Sequence, residues 1–190
     1  MDTTKLRYLA GSFLTAYINL CAMNRESKEP IFVVPMIVNG AFSAELSLKA
    51  LLAENEIAYG KEHNLLYLFS LLPDDILEEV VLNSWERTPA FRNPDVWINQ
   101  LCLISDAFEE WRYGYESKHS LIVDINFLQA FAQALSITLH SHYGNAEMKL
   151  VETTEDDNEM EKKFQDATDN RKQAAIEHFN KIVKKGSNRK

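Results

Sequence analysis

Glycine, proline and cysteine are scarce in this chain, with six, five and two copies among 190 residues. Few glycines and prolines disfavour a β-sandwich or barrel, because such folds need many tight turns. The two cysteines, Cys21 and Cys102, lie in apolar periodic segments, where we expect buried free thiols and neither a disulfide framework nor a zinc cluster. Hydrophobic residues make up 46% of the chain, so it has the material for a sizeable core.

No segment of the sequence is apolar for long enough to suggest a membrane span. The longest apolar run, 31–38, contains Pro35 and is far shorter than the roughly 20 residues of a transmembrane helix. Lys5 and Arg7 precede apolar residues near the N-terminus, as in a signal peptide. However, the polar residues there are spaced as one side of a helix, and no clean cleavage site follows. We therefore expect a cytoplasmic protein that makes no contact with a membrane.

Positive charge is also in deficit, since the net charge is −8 and no global field attracts nucleic acid or an acidic membrane. Residues 146–190 hold ten basic and ten acidic residues, so residues 1–145 carry the whole −8. Any contact with nucleic acid would therefore depend on a local basic patch.

Sequence motifs of several common enzyme classes are absent. The chain has no GxGxxG, no GxxxxGK[ST], no HExxH and no GxSxG, which argues against several nucleotide-binding, metalloprotease and hydrolase classes. His140 and His142 are two residues apart and would point about 200° apart on a helix, so a shared metal ion is not expected. We predict no metal and no cofactor.

Helical periodicity, by contrast, is abundant. Apolar residues recur at three- and four-residue steps, which is typical of amphipathic helices, and strand-like alternation is missing. We predict an all-α fold, a bundle of about five core helices. The second helical segment is apolar around most of its circumference, so we expect it to be central and buried. The predicted segments cover about 4–24, 35–55, 63–72, 73–85, 93–115 and 120–142.

The composition changes after Asn145, so we divide the chain into a helical domain, 1–145, and a C-terminal appendage, 146–190. The appendage begins with the acidic, linker-like sequence VETTEDDNEMEKK. Apolar residues from Met160 to Val183 then predict one amphipathic helix, and the basic end KKGSNRK is typical of disorder.

Two charged residues stand out inside the most apolar helix. Glu45 and Lys49 are four residues apart with the glutamate first, which is the favourable order for an ion pair. A buried pair is costly unless both partners are satisfied, so two interpretations stay open: a structural ion pair, or a direct role at a functional site. His63, at the start of the third helical segment, is expected to hydrogen-bond to its neighbours there.

The stretch FEEWRYGYESKH, residues 108–119, combines Arg112 and His119 with aromatic residues. A guanidinium binds phosphate with two hydrogen bonds, and an imidazole transfers protons near neutral pH. Together the two suffice in principle for metal-independent RNA cleavage. The alternative is structural, with Arg112 packed on Trp111 and Tyr115 and paired with a neighbouring glutamate.

Four segments of the chain carry a family resemblance by their order and spacing. They are AFSAELSLKALL (41–52), KEHNLLYLFSLLP (61–73), FEEWRYGYE (108–116) and DINFLQAFAQAL (124–135). In this order they resemble the HEPN family, the compact helical domains of prokaryotic toxin, antiphage and nucleotide-associated proteins, and the third is similar to its WRYxYE-type members. The resemblance covers roughly residues 5–143 and implies a compact HEPN-like bundle.

Many HEPN proteins are ribonucleases in which an Arg is followed, after four to six residues, by a His, and six residues separate Arg112 from His119. The resemblance therefore implies Arg112 as a phosphate ligand and His119 as an acid or base. HEPN domains typically dimerise, so the resemblance also implies a homodimer. It implies supporting roles for four further residues: Glu45, Lys49, Tyr115 and Glu116.

The function that the resemblance implies is an RNA-directed module of a toxin–antitoxin or antiphage system. One interpretation is a metal-independent endoribonuclease. The alternative is a non-catalytic module that binds a nucleotide or a partner protein, and a purely structural dimerisation domain is a third. RNA, an antitoxin and a nucleotidyltransferase are the partners that such a module would have.

Overall fold

The computed structural model describes residues 2–27, 31–112, 122–145 and Lys162. All regular structure in those residues is helical, which confirms the predicted all-α class. Apart from Lys162, they belong to the first of two units into which the chain divides, 1–148 and 149–190. The elements are α1 (Thr3–Glu26), α2 (Val33–Glu54), α3 (Leu65–Ser70), α4 (Asp74–Arg87), a 3₁₀ turn (Pro89–Phe91), α5 (Pro94–Ile104), α6 (Ala107–Arg112) and α7 (Ile125–Tyr143).

Helix α2 is the centre of the bundle, as its nearly uniform apolar character predicts. Its residues from Gly40 to Leu52 are buried almost without interruption, and α1, α3, α6 and α7 all pack against it. At Gly40 the neighbours come close, because an added Cβ would lie 3.1 Å from side-chain atoms of Tyr17 and Leu128. A small residue at this position therefore sets the spacing between α2 and its neighbours α1 and α7.

Two buried polar contacts fix α1 against the rest of the bundle. The Tyr17 hydroxyl donates to the Ile125 carbonyl at 2.9 Å, and the Ser43 hydroxyl donates to the Ala10 carbonyl at 2.9 Å. Burial raises the pKa of Tyr17 well above its usual range, so this phenol stays a neutral donor. Both bonds satisfy groups that would be costly to bury alone.

The other half of the core, formed by α3, α5 and α7, is largely aromatic. Trp97 packs against Phe69, Phe127 and Phe131 with ring centroids 5.2 to 5.9 Å apart. Its indole N–H donates to the Ser84 hydroxyl at 2.6 Å, so the polar edge of this ring is also satisfied. These tilted and edge-on contacts hold α5 in place and thereby position the turn that follows it.

The predicted helix over 93–115 is wrong in one respect, because it is broken after Ile104. α5 begins as predicted, with the Asn93 side chain accepting from two backbone N–H groups of the first turn. At the break, the Ser105 carbonyl accepts from the Leu65 N–H at 2.9 Å. The break therefore ties the α5–α6 turn to the start of α3, which one continuous helix would not allow.

Two smaller expectations also need correction. Helix α7 begins at Ile125, later than the predicted start near residue 120, because the Asp124 carboxylate caps its first turn and residues 122–124 are not helical. Cys21 is buried as expected, but Cys102 is exposed because it lies on the outer face of α5.

Among the described helices, α2 is long and apolar enough to cross a membrane by length and composition. However, 78% of its apolar window is buried inside the protein, as in the core helix of a soluble domain. This segment is therefore weak evidence for a membrane span.

Candidate functional site

A buried ion pair lies in the middle of α2. Lys49 Nζ is 2.7 Å from Glu45 Oε1, and the two side chains are only 11% and 2% exposed. The i,i+4 spacing on one helix brings them together without any tertiary contact. Two charges removed from water are costly to bury, so the pair must be offset by further hydrogen bonds or retained for a specific role.

His63 adds a third member from outside the helix. Its Nδ1 lies 2.9 Å from the same oxygen, Glu45 Oε1, and its side chain is 42% exposed. We refer to Glu45, Lys49 and His63 as the charged cluster. A carboxylate accepts hydrogen bonds, so Nδ1 is assigned as the donor in this contact, and in the tautomer that donates from Nδ1 the acceptor is Nε2. Within the described part of the chain, no hydrogen bond engages that Nε2.

The backbone around His63 is held by its two neighbours in sequence. One oxygen of the Glu62 carboxylate accepts from the N–H of His63 at 2.9 Å and of Asn64 at 2.8 Å. The backbone hydrogen bond from Asn64, followed by that from His63, lowers the pKa of Glu62 below its ordinary value. The local conformation that aims His63 at Glu45 is therefore fixed by charge-assisted hydrogen bonds.

Asn64, and not His63, is the residue that starts α3. Its Oδ1 accepts from the Tyr67 N–H at 2.9 Å, and its amide donates to Asp106 Oδ1 at 2.8 Å. The expectation that His63 hydrogen-bonds to its neighbours holds for its backbone N–H, which donates to Glu62, but not for its ring, and His63 does not start the helix. His63 reaches instead to α2, while Asn64 caps α3 and ties it to the α5–α6 turn.

Glu45 uses its two oxygens very unequally. Oε1 serves both Lys49 and His63, whereas Oε2 is buried and has no hydrogen-bond partner in the described structure. A buried carboxylate oxygen without a donor is unusual and costs free energy. Glu45 therefore holds both of its donors on Oε1, and its ion pair with Lys49 leaves Oε2 unsatisfied.

Helix α6 lies next to the charged cluster through its aromatic residues. Phe108 stacks on Phe42 of α2 with ring centroids 4.5 Å apart, and its ring lies 6.2 Å from that of His63. Arg112 is the last residue of α6, one helical turn beyond Phe108, or about 6 Å along the axis. The backbone that carries Arg112 is therefore anchored on the side of the bundle where His63 is exposed.

The structure thus brings together part of the predicted site. Glu45 and Lys49 are paired, and His63, which the sequence did not assign to the site, joins them. The side chain of Arg112, together with His119, Tyr115 and Glu116, lies outside the described residues, so their roles stay predictions. The signal for His63 was weak, because nothing in the spacing of 45 and 63 indicates that the two meet.

A second histidine–carboxylate pair lies elsewhere, between α4 and α7. His142 Nε2 is 2.6 Å from Glu79 Oε2, with side chains 36% and 33% exposed. Burial raises the pKa of Glu79, but hydrogen bonds from His142 and Ser141 outweigh this effect and hold the pKa below its ordinary value. This pair resembles the His63 pair in distance and histidine exposure, but its carboxylate is open to solvent.

Another arginine, Arg7, lines a groove of about 330 Å³ between α1 and α7 and can be compared with Arg112 as a phosphate ligand. Its guanidinium is 3.3 Å from Glu54 and donates to the Tyr143 carbonyl at 2.6 Å. Because the charge is already matched by a carboxylate, this groove is a poor site for an anion such as phosphate.

These features define an all-helical bundle with a buried carboxylate that holds an exposed imidazole beside a short helix ending in arginine. A family model described as HEPN domain matches residues 37–175, from α2 past the end of α7. The chain therefore belongs to the HEPN family, whose domains are generally associated with ribonuclease, toxin–antitoxin and defence modules. HEPN domains are typically soluble. Comparison with curated proteins and with solved structures found no match.

Proposed function

We propose that the protein is an RNA-directed module of a toxin–antitoxin or antiphage system that cleaves RNA without a metal ion. The observation that supports it is the position of α6, whose Phe108 packs on Phe42 and beside His63. Phe108 lies one helical turn before Arg112, the phosphate ligand that the family resemblance implies, so the backbone of Arg112 is anchored on the side of the bundle where His63 is exposed.

In this proposal Arg112 binds the scissile phosphate and stabilises the charge that develops on it. His119 transfers a proton at the 2′-hydroxyl or at the leaving oxygen. Each of these contributions is worth roughly a hundredfold to a ten-thousandfold in rate. Four residues have supporting roles: Glu45, Lys49, Tyr115 and Glu116.

A homodimer would resolve the conflict between an acidic protein and an anionic substrate. Residues 1–145 carry a net charge of −8, so one copy offers no long-range attraction for RNA. A cleft built from two copies doubles the local positive charge from Arg112. An antitoxin or a nucleotidyltransferase is the protein partner expected to control such a cleft.

The test is cleavage of single-stranded RNA by the purified dimer in excess chelator. The expected product ends in a 2′,3′-cyclic phosphate, because the nucleophile is the substrate's own 2′-hydroxyl. Arg112→Ala and His119→Ala should each abolish cleavage while the melting temperature changes little. Arg92→Ala, at an exposed position between the 3₁₀ turn and α5, is the matched control and should cleave like the wild type.

A non-catalytic module that binds a nucleotide or a partner protein is the second candidate. The observation in its favour argues against catalysis: Lys49 is held by Glu45 at 2.7 Å and is therefore not free to stabilise charge on a scissile phosphate. If the confirmed dimer, free of inhibitor, leaves RNA intact but binds a nucleotide in calorimetry, this candidate replaces the enzyme.

A further inference from the structure

Cleavage of RNA by its own 2′-hydroxyl requires two proton transfers. In the proposed site, only His119 has been assigned to proton transfer. One group must take the proton of the 2′-hydroxyl as O2′ bonds to phosphorus. Another must give a proton to the 5′-oxygen as its bond to phosphorus breaks. With Arg112 always charged, His119 is the one kind of proton-transfer group that the family motif supplies, and a cleft built from two copies repeats it without adding a second kind.

His63 has the geometry of a base. Its Nδ1–H is held by Glu45 Oε1 at 2.9 Å, so the carboxylate selects the tautomer in which Nε2 has a free lone pair. When Nε2 takes up a proton, the imidazolium that forms is stabilised by the same carboxylate. This is the arrangement in which a buried acid orients a histidine for proton abstraction in hydrolases.

The surroundings of His63 preserve this orientation. Glu45, 2% exposed, is itself fixed by Lys49 at 2.7 Å, so the acceptor of Nδ1–H does not move freely. The preceding carboxylate, Glu62, accepts from the backbone N–H of His63, and the ring of Phe108 lies 6.2 Å from the imidazole ring. Among the described residues, the charged groups joined to His63 directly or through Glu45 are Glu45 and Lys49 from α2 and Glu62 from its own segment.

The position of His63 also fits the proposed substrate. Its ring centroid lies 6.2 Å from that of Phe108, and Arg112 follows Phe108 by one helical turn. A nucleotide whose phosphate is bound by Arg112 has its ribose within a few ångströms of that phosphate. The exposed imidazole lies on the side of the bundle where the backbone of Arg112 is anchored, which supports its assignment to the 2′-hydroxyl next to the scissile bond.

We propose that His63, oriented by Glu45, is the general base that removes the 2′-hydroxyl proton during RNA cleavage. The inference rests on the proposed function. The proton moves from the 2′-hydroxyl to His63 Nε2, the O2′–P bond forms and the P–O5′ bond breaks. The leaving 5′-oxygen takes its proton from the acid of the proposed site. Glu45 is a positioning residue, and Lys49 fixes Glu45.

The decisive variants are His63→Asn and its matched control His142→Asn. Both remove an imidazole that is bonded to a glutamate and about two-fifths exposed. Cleavage by the full-length dimer is measured from pH 5 to 9 in excess chelator, alongside the melting temperature of each variant. We expect His63→Asn to lower kcat by about a hundredfold or more and to remove the acidic limb of the pH profile. His142→Asn should retain the wild-type rate and profile.

A second substrate separates a base from an acid. A uridine 3′-phosphate ester of p-nitrophenol has a leaving group that needs no proton, whereas its 2′-hydroxyl must still be deprotonated. The loss caused by His63→Asn should persist with this ester. Glu45→Gln should lower kcat more than it raises KM, because the amide positions the ring without stabilising the imidazolium.

Each outcome decides something different. If the wild type does not cleave RNA, the proposed function fails and this inference fails with it. If the wild type cleaves and His63→Asn keeps both limbs of the profile, His63 is only a structural tie between α2 and α3, and the proposed function stands. If the loss disappears with the p-nitrophenyl ester, His63 is the acid and the assignment as base is wrong.

Discussion

Glu45 and His63 are 18 residues apart in sequence, yet Oε1 of the first lies 2.9 Å from Nδ1 of the second. The carboxylate is buried and the imidazole is half exposed. Their contact connects the interior of the central helix to the surface, because it adds a solvent-exposed imidazole to the buried ion pair on α2.

Removing the carboxylate of Glu45 should strongly destabilise the fold. Glu45→Ala leaves the Lys49 ammonium, 11% exposed, without its partner, and we expect a loss of about 3–5 kcal/mol in the free energy of unfolding. Urea denaturation measures this value. The double variant Glu45→Leu, Lys49→Met should recover most of the lost free energy of unfolding, since both buried charges are removed. If Glu45→Ala costs less than about 1 kcal/mol, the pair is not effectively buried in solution.

Two glycine-to-alanine substitutions should change the free energy of unfolding in opposite directions. Gly40→Ala places a Cβ 3.1 Å from Tyr17 and Leu128, so we expect a loss of about 1–3 kcal/mol from overpacking. Gly11→Ala, in the exposed part of α1, meets nothing within 4 Å and should stabilise the helix by about 0.5–1 kcal/mol. Thermal unfolding of both variants gives the comparison. Equal effects would mean that α1 and α2 are farther apart than described.

The Glu62 carboxylate should contribute stability that depends on pH. Its pKa in the folded protein is lowered from the ordinary value of 4.5 by backbone hydrogen bonds. The contribution is therefore present above about pH 4.5 and is lost as the pH falls through the lower, folded-state pKa. In Glu62→Gln, the curve of unfolding free energy against pH should be flatter than in the wild type between pH 5 and pH 3. Glu86→Gln, at an exposed position of α4, should keep the wild-type slope.

Truncation tests the predicted domain boundary at residue 145. The family match extends past this boundary, to residue 175. The buried residues of the described core all lie before Asn145, so a chain of 1–145 should fold cooperatively and remain soluble. A chain of 1–124 lacks the fully buried Phe127, Phe131 and Leu135 of α7 and should not fold. Insoluble 1–145 protein would show that the appendage belongs to the core.

Sequence patterns predicted the helices well where one local cause dominates. The burial of α2 follows from apolar residues around its whole circumference, and Asn93 and Gly144 mark helix ends by their local chemistry. The Glu45–Lys49 pair was predictable because both residues lie on one helix. The break after Ile104 was not predictable, because the apolar stripe of α5 continues into α6. Only the hydrogen bond from the Leu65 N–H to the Ser105 carbonyl shows why the chain turns there.

The sequence by itself determined the all-α class, the central helix and the spacing of an ion pair, because helical periodicity and i,i+4 contacts depend on near neighbours alone. Only the tertiary structure decided that His63 meets Glu45 and that Phe108 brings α6 beside them. Those contacts depend on how α3 and α6 pack against α2, and packing between distant segments is set by the shape of the whole core.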